Sequence, residues 1–235
     1  MNWLFHLHTL ADCGILNGLE DCHTHILPGV DDGVKTIEEA LAILHQYETL
    51  GVKSVWLTPH IMEDIPNTTA SLQSHYTELK AEYSGAVKLR LAAEYMIDNL
   101  FIERLETGDL LTLGGDDSLL VETSYFNPPM NLNETLEKMK RNGYRPVLAH
   151  PERYVYMDNI DYERLKAAGI RFQLNLFSLT GVYGKDARDK AVQLLKKRLY
   201  DCIGTDAHSF DVTAGLLLQR CISTKTFCQL KQIEG

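Results

Sequence analysis

His23 and His25 stand two residues apart in the stretch DCHTHILPGVDDG, Asp21 to Gly33, with β-branched Thr24 between them. On an extended strand, residues i and i+2 face the same side, so both imidazoles project into one space. Neutral imidazole is the commonest protein ligand for a metal. Asp32, in the acidic turn Asp31-Asp32-Gly33, supplies a carboxylate close by. Alone, the pair is weak, because two solvated histidines on an edge strand look the same. Its weight comes from what recurs downstream. His60 ends LTPH, Glu94 follows LAA, Glu122 ends LLVE, His150 ends VLAH, and Asp206 and His208 close GTDAH. Each time a short apolar run terminates in an ionisable side chain.

The set holds five imidazoles (His23, His25, His60, His150, His208) and four carboxylates (Asp32, Glu94, Glu122, Asp206). One zinc site uses about three or four protein ligands, so the set predicts two or three ions, with a carboxylate such as Glu94 shared between them. Four carboxylates brought together without metal would repel one another and their pKa values would rise. Mixed nitrogen and oxygen ligation fits manganese, iron or zinc rather than a soft thiolate-bound metal. A multi-metal centre facing solvent suits hydrolysis, because the ions lower the pKa of water and clamp the oxygens of the transition state. Arg153, three residues beyond His150 in AHPERY, adds a planar fork donor matched to phosphate. Its alternative is a surface ion pair with Glu152 or a neighbour. Arg153, Asp206 and His208 are the residues expected to act on the phosphate itself.

Strands and helices must alternate to position these residues. Apolar strand-like runs at 53–57, 87–93, 118–121, 146–149, 171–174 and 200–203 follow the first His-x-His strand. Between them lie a helix opened by the capping box Thr36-Ile37-Glu38-Glu39 and stopped at Gly51, and further helices at 69–83, 99–106, 133–141, 162–168 and 185–197. The tail, 212–230, reads as helical. Seven strands alternating with helices predict an α/β fold with a parallel sheet, most simply closed into a barrel, and barrels place chemistry at the C-terminal ends of their strands. One domain over 1–235 is expected, with a lead-in at 1–19 and a helical tail at 212–235. His6 and His8 form a second His-x-His in the lead-in, but Gly14, Asn17 and Gly18 break any clean strand there. The lead-in reads as an amphipathic segment packed on the outside of the barrel, without a metal role.

Bulk composition narrows the function classes. Hydrophobic residues make up 45% and charged residues 23%, enough for a full core. A net charge of −9 excludes a general nucleic-acid binder, and no apolar run approaches a membrane span. The five cysteines, Cys13, Cys22, Cys202, Cys221 and Cys228, are odd in number and contain no CxxC, which predicts neither a disulfide framework nor a thiolate zinc site. No Lys or Arg precedes Lys35, so the N-terminus does not read as a secretory signal and a cytoplasmic protein is expected.

DCHTHILPGVDDG, LTPH, AAEYM, LVETSY, VLAHPERY and GTDAH run in this order from Leu19 to His208. Together they resemble the PHP (polymerase and histidinol phosphatase) superfamily. Within it they look like the branch of bacterial manganese-dependent protein-tyrosine phosphatases of capsule and exopolysaccharide loci, the CpsB/CapC/YwqE type. That resemblance implies a distorted (β/α)7 barrel, the PHP fold, with three divalent ions, manganese foremost and iron or zinc as alternatives. It implies that His23, His25, Glu94 and Asp206 hold one ion, that Glu94, Glu122 and His150 hold a second, and that Asp32, His60 and His208 hold a third. Arg153 matches the family's phosphate-binding arginine. The implied partner is the phosphotyrosine-bearing tail of a bacterial tyrosine autokinase that regulates polysaccharide export.

Two features depart from the pattern. Some members carry another arginine shortly after Asp-x-His, whereas Ser209 to Gly215 holds none, and the His-x-His comes later than is usual. A related phosphoesterase acting on a small phosphate monoester such as histidinol phosphate would use the same ligands. GVDDGVKT, Asn127-Pro128-Pro129 and AHPERY favour the tyrosine branch. An amidohydrolase-type site would place a lysine at a strand end, and none is offered. A scaffold without catalysis is disfavoured by the intact ligand set.

Overall fold

In the computed structural model, residues 7–115 and 117–233 are described. The first half of the chain runs β1 (His8–Thr9), β2 (Glu20–Thr24), α1 (Ile37–Thr49), β3 (Ser54–Leu57), β4 (His60–Ile61), α2 (Thr69–Glu82), β5 (Lys88–Leu91), β6 (Glu94–Met96) and α3 (Asn99–Thr107). The second half runs β7 (Ser118–Glu122), α4 (Leu132–Arg141), β8 (Arg145–Leu148), α5 (Asn159–Ala167), β9 (Arg171–Asn175), α6 (Lys185–Lys196), β10 (Cys202–Gly204), α7 (Phe210–Leu217), β11 (Arg220–Ile222) and α8 (Thr224–Leu230). Short 3₁₀ segments at Pro151–Arg153 and Leu176–Thr180 follow β8 and β9.

The strands form two parallel ladders, β2-β3-β5 and β10-β9-β8-β7-β6-β4. Backbone bonds between the ends of β2 and β10 join them at one margin, and at the other the chain itself runs on from β3 to β4 and from β5 to β6, with backbone bonds continuing the pairing between the two runs. His25 N–H donates to Ala207 O at 2.9 Å and Asp206 N–H to His23 O at 2.8 Å, while Ala92 N–H donates to Leu57 O at 2.9 Å and Glu94 N–H to Pro59 O at 3.1 Å. The result is one curled parallel sheet with helices packed outside it. Asp21 helps to hold one seam. Its buried carboxylate accepts the Thr205 N–H at 3.0 Å, the Thr205 hydroxyl at 2.7 Å and the His23 N–H at 3.2 Å.

One strand, read at 53–57, ends where the sequence places its end, and a second is broken where the sequence reads it as continuous. Pro59 has no N–H and cannot extend a ladder, so β3 ends at Leu57 and the chain resumes pairing at His60 in β4. The run at 87–93 likewise stops at Leu91, and Glu94 opens β6 rather than closing β5. The change of partner explains this break: β5 pairs with β3, whereas β6 pairs with β4 and β7. After each gap a buried ionisable side chain, His60 or Glu94, stands at a fresh strand start.

Helix caps follow local chemistry. The Thr36 hydroxyl accepts the Glu39 N–H at 3.2 Å, as the capping box predicts. The Glu39 carboxylate, however, accepts from the backbone of Lys35 at 3.3 Å and Phe210 at 3.0 Å instead of closing the box on Thr36. α5 starts three residues before the predicted 162, because Asp158 and Asp161 form a reciprocal capping box. The tail departs most. It is not one helix over 212–230: Ser223 caps α8 by accepting the Thr226 N–H at 3.1 Å, and β11 before it pairs antiparallel with β1. That pairing pins the lead-in, whose Leu10, Ile15 and Leu16 are buried in the core. His8 is half exposed on β1, 3.8 Å from Asp12, and His6 lies outside the described residues. Among the described residues no helix is long and apolar enough to cross a membrane.

Candidate metal centre

β2 brings the Nε2 atoms of His23 and His25 to 3.0 Å from each other. Bonds behind the rings fix that aim. His23 Nδ1–H donates to Gln173 Oε1 at 3.0 Å and His25 Nδ1–H to Asp31 Oδ2 at 2.7 Å. Since each acceptor can only accept, both Nε2 lone pairs face forward, the arrangement in which an outer acceptor orients a ligating imidazole. His208 is set the same way, Nδ1–H donating to Asp206 O at 2.8 Å. Two glycines make the close approach feasible. A Cβ on Gly33 would lie 2.2 Å from His25 O, and one on Gly204 would lie 2.4 Å from His23 Cβ.

Glu94 occupies the middle. Its Oε2 lies 3.1 Å from His23 Nε2, 3.2 Å from His25 Nε2 and 3.2 Å from His60 Nδ1, and its Oε1 lies 3.1 Å from His150 Nε2. Glu122 Oε1 is 3.2 Å from His60 Nδ1. Asp206 Oδ1 is 3.5 Å from His23 Nε2, 3.3 Å from His25 Nε2 and 3.5 Å from His208 Nδ1. Asp32 Oδ1 reaches His60 Nε2 at 3.5 Å and His208 Nε2 at 3.6 Å. The donor atoms fall into four overlapping groups, each within 4.8 Å: His25, Asp32, His60 and His208; His23, Glu94 and His150; His23, His25 and Asp206; His60, Glu94 and Glu122. All nine side chains singled out from the sequence are in this space. Seven are buried, while Asp32 and His208 border solvent.

The donor chemistry fits divalent cations. Glu94 Oε2, Glu122 Oε1, His60 Nδ1 and His150 Nδ1 are buried without a hydrogen-bond partner, although buried polar atoms are normally paired. Oxygen and imidazole lone pairs converging on one space are the donor set of a borderline cation such as manganese, iron or zinc. Without metal the cluster balances itself by proton. Burial would lower the His23 imidazole, but the charges of Glu94 and Asp206 outweigh it and lift it to about 9. His25, likewise opposed by burial, is carried well above the usual range by Asp31, Asp206 and Glu94. Burial would raise Glu94 and Asp206, yet the surrounding imidazoles hold both below the ordinary carboxylate range. Cations would replace those protons. The backbone is also forced here: His150 (φ 32°) and Asp206 (φ 56°) adopt left-handed conformations that non-glycine residues rarely take.

Arg153 sits on the 3₁₀ turn after His150. Its Nη1 donates to Asp206 Oδ2 at 2.8 Å, and its guanidinium lies over the rings of Tyr125 at 4.3 Å and Tyr183 at 4.1 Å. The alternative partner, Glu152, points the other way. It is buried and accepts from Asn175 N at 3.0 Å, Ser178 Oγ at 2.8 Å and Tyr200 OH at 2.9 Å, and burial raises its carboxyl. Asn175 Nδ2 donates to Asp206 Oδ2 at 2.8 Å and to Tyr183 OH at 3.2 Å. Asp206 is thereby divided: Oδ1 faces the imidazoles and Oδ2 is held by Arg153 and Asn175. Arg153, Tyr125 and Tyr183 share with the ionisable cluster a cleft of about 360 Å³.

The sequence reading gave no role to Gln173, Asn175 or the two tyrosines, and took Asp31 only as part of the acidic turn and Glu152 only as a partner for Arg153. One signal was available. Gln173 and Asn175 alternate on β9, a buried strand in which polar side chains at i and i+2 must face something polar.

The sequence matches the family described as Capsular polysaccharide synthesis, CpsB/CapC, over residues 19–226. CapC of Staphylococcus aureus is 27% identical over 223 residues, covering 92% of this chain and 87% of the relative. The tyrosine-protein phosphatase CpsB of Streptococcus agalactiae serotype V is 27% identical over 214 residues, covering 85% of this chain and 86% of the relative. A solved structure from work on YwqE of Bacillus subtilis and CpsB of Streptococcus pneumoniae, described as metal-dependent tyrosine phosphatases, has a TM-score of 0.75 at 23% identity. It covers 92% of this chain and 87% of that one, a likeness of fold. The family match takes in every side chain of the cluster and Arg153 with them, and the chain belongs to the CpsB/CapC family of capsular polysaccharide synthesis.

Proposed function

We propose that this chain is a metal-dependent protein-tyrosine phosphatase of capsule or exopolysaccharide synthesis. Its substrate on this reading is the phosphotyrosine-bearing tail of a bacterial tyrosine kinase, met in the cytoplasm. The observation that carries the reading is the convergence of nine imidazole and carboxylate side chains beside the edge of one arginine. The names of the relatives supply the substrate class. On the same reading the curled sheet is a distorted (β/α)7 barrel of one domain over 1–235.

Three divalent ions, manganese foremost, would be held by His23, His25, Glu94 and Asp206; by Glu94, Glu122 and His150; and by Asp32, His60 and His208. Such ions supply a nucleophile from water at neutral pH and neutralise phosphate charge. The chain's own groups do the rest. Arg153 offers in-plane N–H donors to the phosphate oxygens, and a charge-assisted, bidentate contact strengthens as charge gathers there. Asp206 Oδ2 and Asn175 keep that guanidinium at the edge of the cleft. His208, whose Nδ1 proton is engaged by the Asp206 carbonyl, keeps Nε2 directed to the cleft side. A phenol leaves with a pKa near about 10, far below an alkyl alcohol, so tyrosinate departs with little protonation.

The test compares phosphotyrosine and phosphoserine peptides with the Mn²⁺-loaded protein. Phosphotyrosine is expected to be hydrolysed faster, and p-nitrophenyl phosphate, another phenolic ester, alongside it. Equal rates on both peptides would move the assignment to a general phosphomonoesterase.

A further inference from the structure

We infer that Tyr125 and Tyr183 are positioning residues for Arg153, clamping its guanidinium between two rings so that only its in-plane N–H groups can meet a phosphate. The inference rests on the phosphatase reading for its purpose, but its geometry stands apart from it. The two rings come from different loops, Tyr125 after β7 and Tyr183 before α6, and the guanidinium carbon lies 4.3 and 4.1 Å from their centroids. Each ring is itself held. Tyr125 O accepts the Val155 N–H at 2.9 Å, and the Tyr125 ring stacks on Tyr154 at 6.1 Å. Tyr183 OH accepts from Asn175 Nδ2 at 3.2 Å. Asn175 also donates to Asp206 Oδ2, the same atom that takes Arg153 Nη1.

The guanidinium is a flat ion with five N–H donors in its plane. Rings lie over it, and one donor is taken by Asp206. Its other donors have no protein acceptor among the described residues. A long arginine free in a cleft would have to give up much side-chain entropy on binding an anion. Here that ordering is already present, and attraction between the cation and the ring faces is strongest in a site shielded from water. The arrangement fits recognition of a tetrahedral oxyanion approaching edge-on. It leaves the faces of Arg153 unavailable to a substrate ring.

The experiment places Tyr125→Leu and Tyr183→Leu, each with its Phe counterpart, in the wild-type and Arg153→Ala backgrounds of the Mn²⁺-loaded protein. Turnover of p-nitrophenyl phosphate and calorimetric binding of orthophosphate are measured together. Each Leu variant is expected to lower kcat/KM and orthophosphate affinity by about ten- to thirtyfold, the scale of one shielded cation–ring contact. The Phe variants keep the ring and stay near wild type. In the Arg153→Ala background the Leu changes have no further effect, because the rings act through Arg153. A second loss of similar size in that background would mean that the rings touch the substrate, and the clamp is overturned. Proton NMR of the wild type loaded with diamagnetic Zn²⁺ in place of paramagnetic Mn²⁺ gives a readout that no folding failure can remove. Arg153 side-chain protons are expected upfield-shifted by the two rings, and ordinary positions overturn the clamp. A wild type that binds orthophosphate but hydrolyses no phosphomonoester refutes the phosphatase reading, while the affinity changes still decide the clamp.

Discussion

Two layers inside the curled sheet are built from the same strands and treat their side chains in opposite ways. Along β7, Leu120 and Glu122 point to the same side, and Cys202 opens β10, whose chain leads on to Asp206. The lower layer packs Cys22, Leu120, Val147, Ala149 and Cys202 together, with Trp56 and Leu113 against them. It needs nothing from outside: buried cysteines act as small hydrophobes, and burial pushes the Cys22 thiol well up. One step higher, four buried polar atoms lack partners and two residues are held in left-handed backbone. Such uncompensated features persist where a bound group completes the site. The lower layer is finished by folding, and the upper one is finished by a ligand.

Metal removal breaks this contrast most severely. EDTA should abolish turnover of p-nitrophenyl phosphate and Mn²⁺ should restore it, while His25→Ala loses bound metal by elemental analysis and nearly all activity. Full activity in metal-free protein would end the account. The stripped protein has its own signature. His23, lifted from 6.5 to about 9, adds stability that is fully present below 6.5 and lost as pH rises through about 9. Glu94 and Asp206, depressed from 4.5 and 3.8, add stability present above those values and lost as pH falls through their folded-state values. The melting temperature of metal-free protein should therefore peak between about pH 5 and 6.5. Mn²⁺ should move the peak upward, since ligation needs neutral imidazole. A metal-free melting temperature that climbs steadily from pH 6 to pH 9 would contradict the paired-cluster picture.

Arg153→Ala comes next. It should keep metal content and lose about 10²–10³ in kcat, the usual effect of removing one transition-state donor. Arg153→Lys restores charge without the fork and should recover only part. Wild-type turnover by Arg153→Ala would reduce Arg153 to an ion-pair partner of Asp206.

The upper layer was legible as a set because an apolar run ending in His, Asp or Glu is a local pattern. What supports it was not. Asp31 and Asp32 are neighbours in one turn, and only the fold of that turn over Gly33 puts Asp31 behind His25 and Asp32 in the cleft. Glu152 and Arg153 are neighbours too, and the 3₁₀ turn sends one inward and the other across to Asp206. Gln173 and Asn175 are not metal-ligand types, so a search for ionisable strand ends passes them, although their alternation on β9 was visible. The tail failed for another reason. The pairing of β11 with β1 joins opposite ends of the chain, and no local periodicity reports it.

Asp31→Asn tests that hidden support. It keeps the shape and removes the charge that orients His25 through a 2.7 Å bond. Losing such an outer partner should cost about 10- to 100-fold in metal affinity, measured by competition with a chelating dye, while saturating Mn²⁺ recovers most turnover. Unchanged affinity would make Asp31 a turn residue only.

The smallest effect is expected in the lower layer. Cys202→Ala removes one sulfur from a site that is 8% exposed, next to the Cys22 thiol and at the start of the strand that leads to Asp206. If the layer is finished by packing alone, the change costs only the lost contact, about 1 kcal/mol. For a chain of this size that lowers the melting temperature by about 2–4 °C. Metal content and kcat/KM should stay within about twofold, because the strand pairing that aims Asp206 depends on backbone bonds to His23 and on Asp21, not on the thiol. A lost equivalent of metal in Cys202→Ala would show instead that the apolar layer sets the height of the ligands above it, and that the two layers are one device.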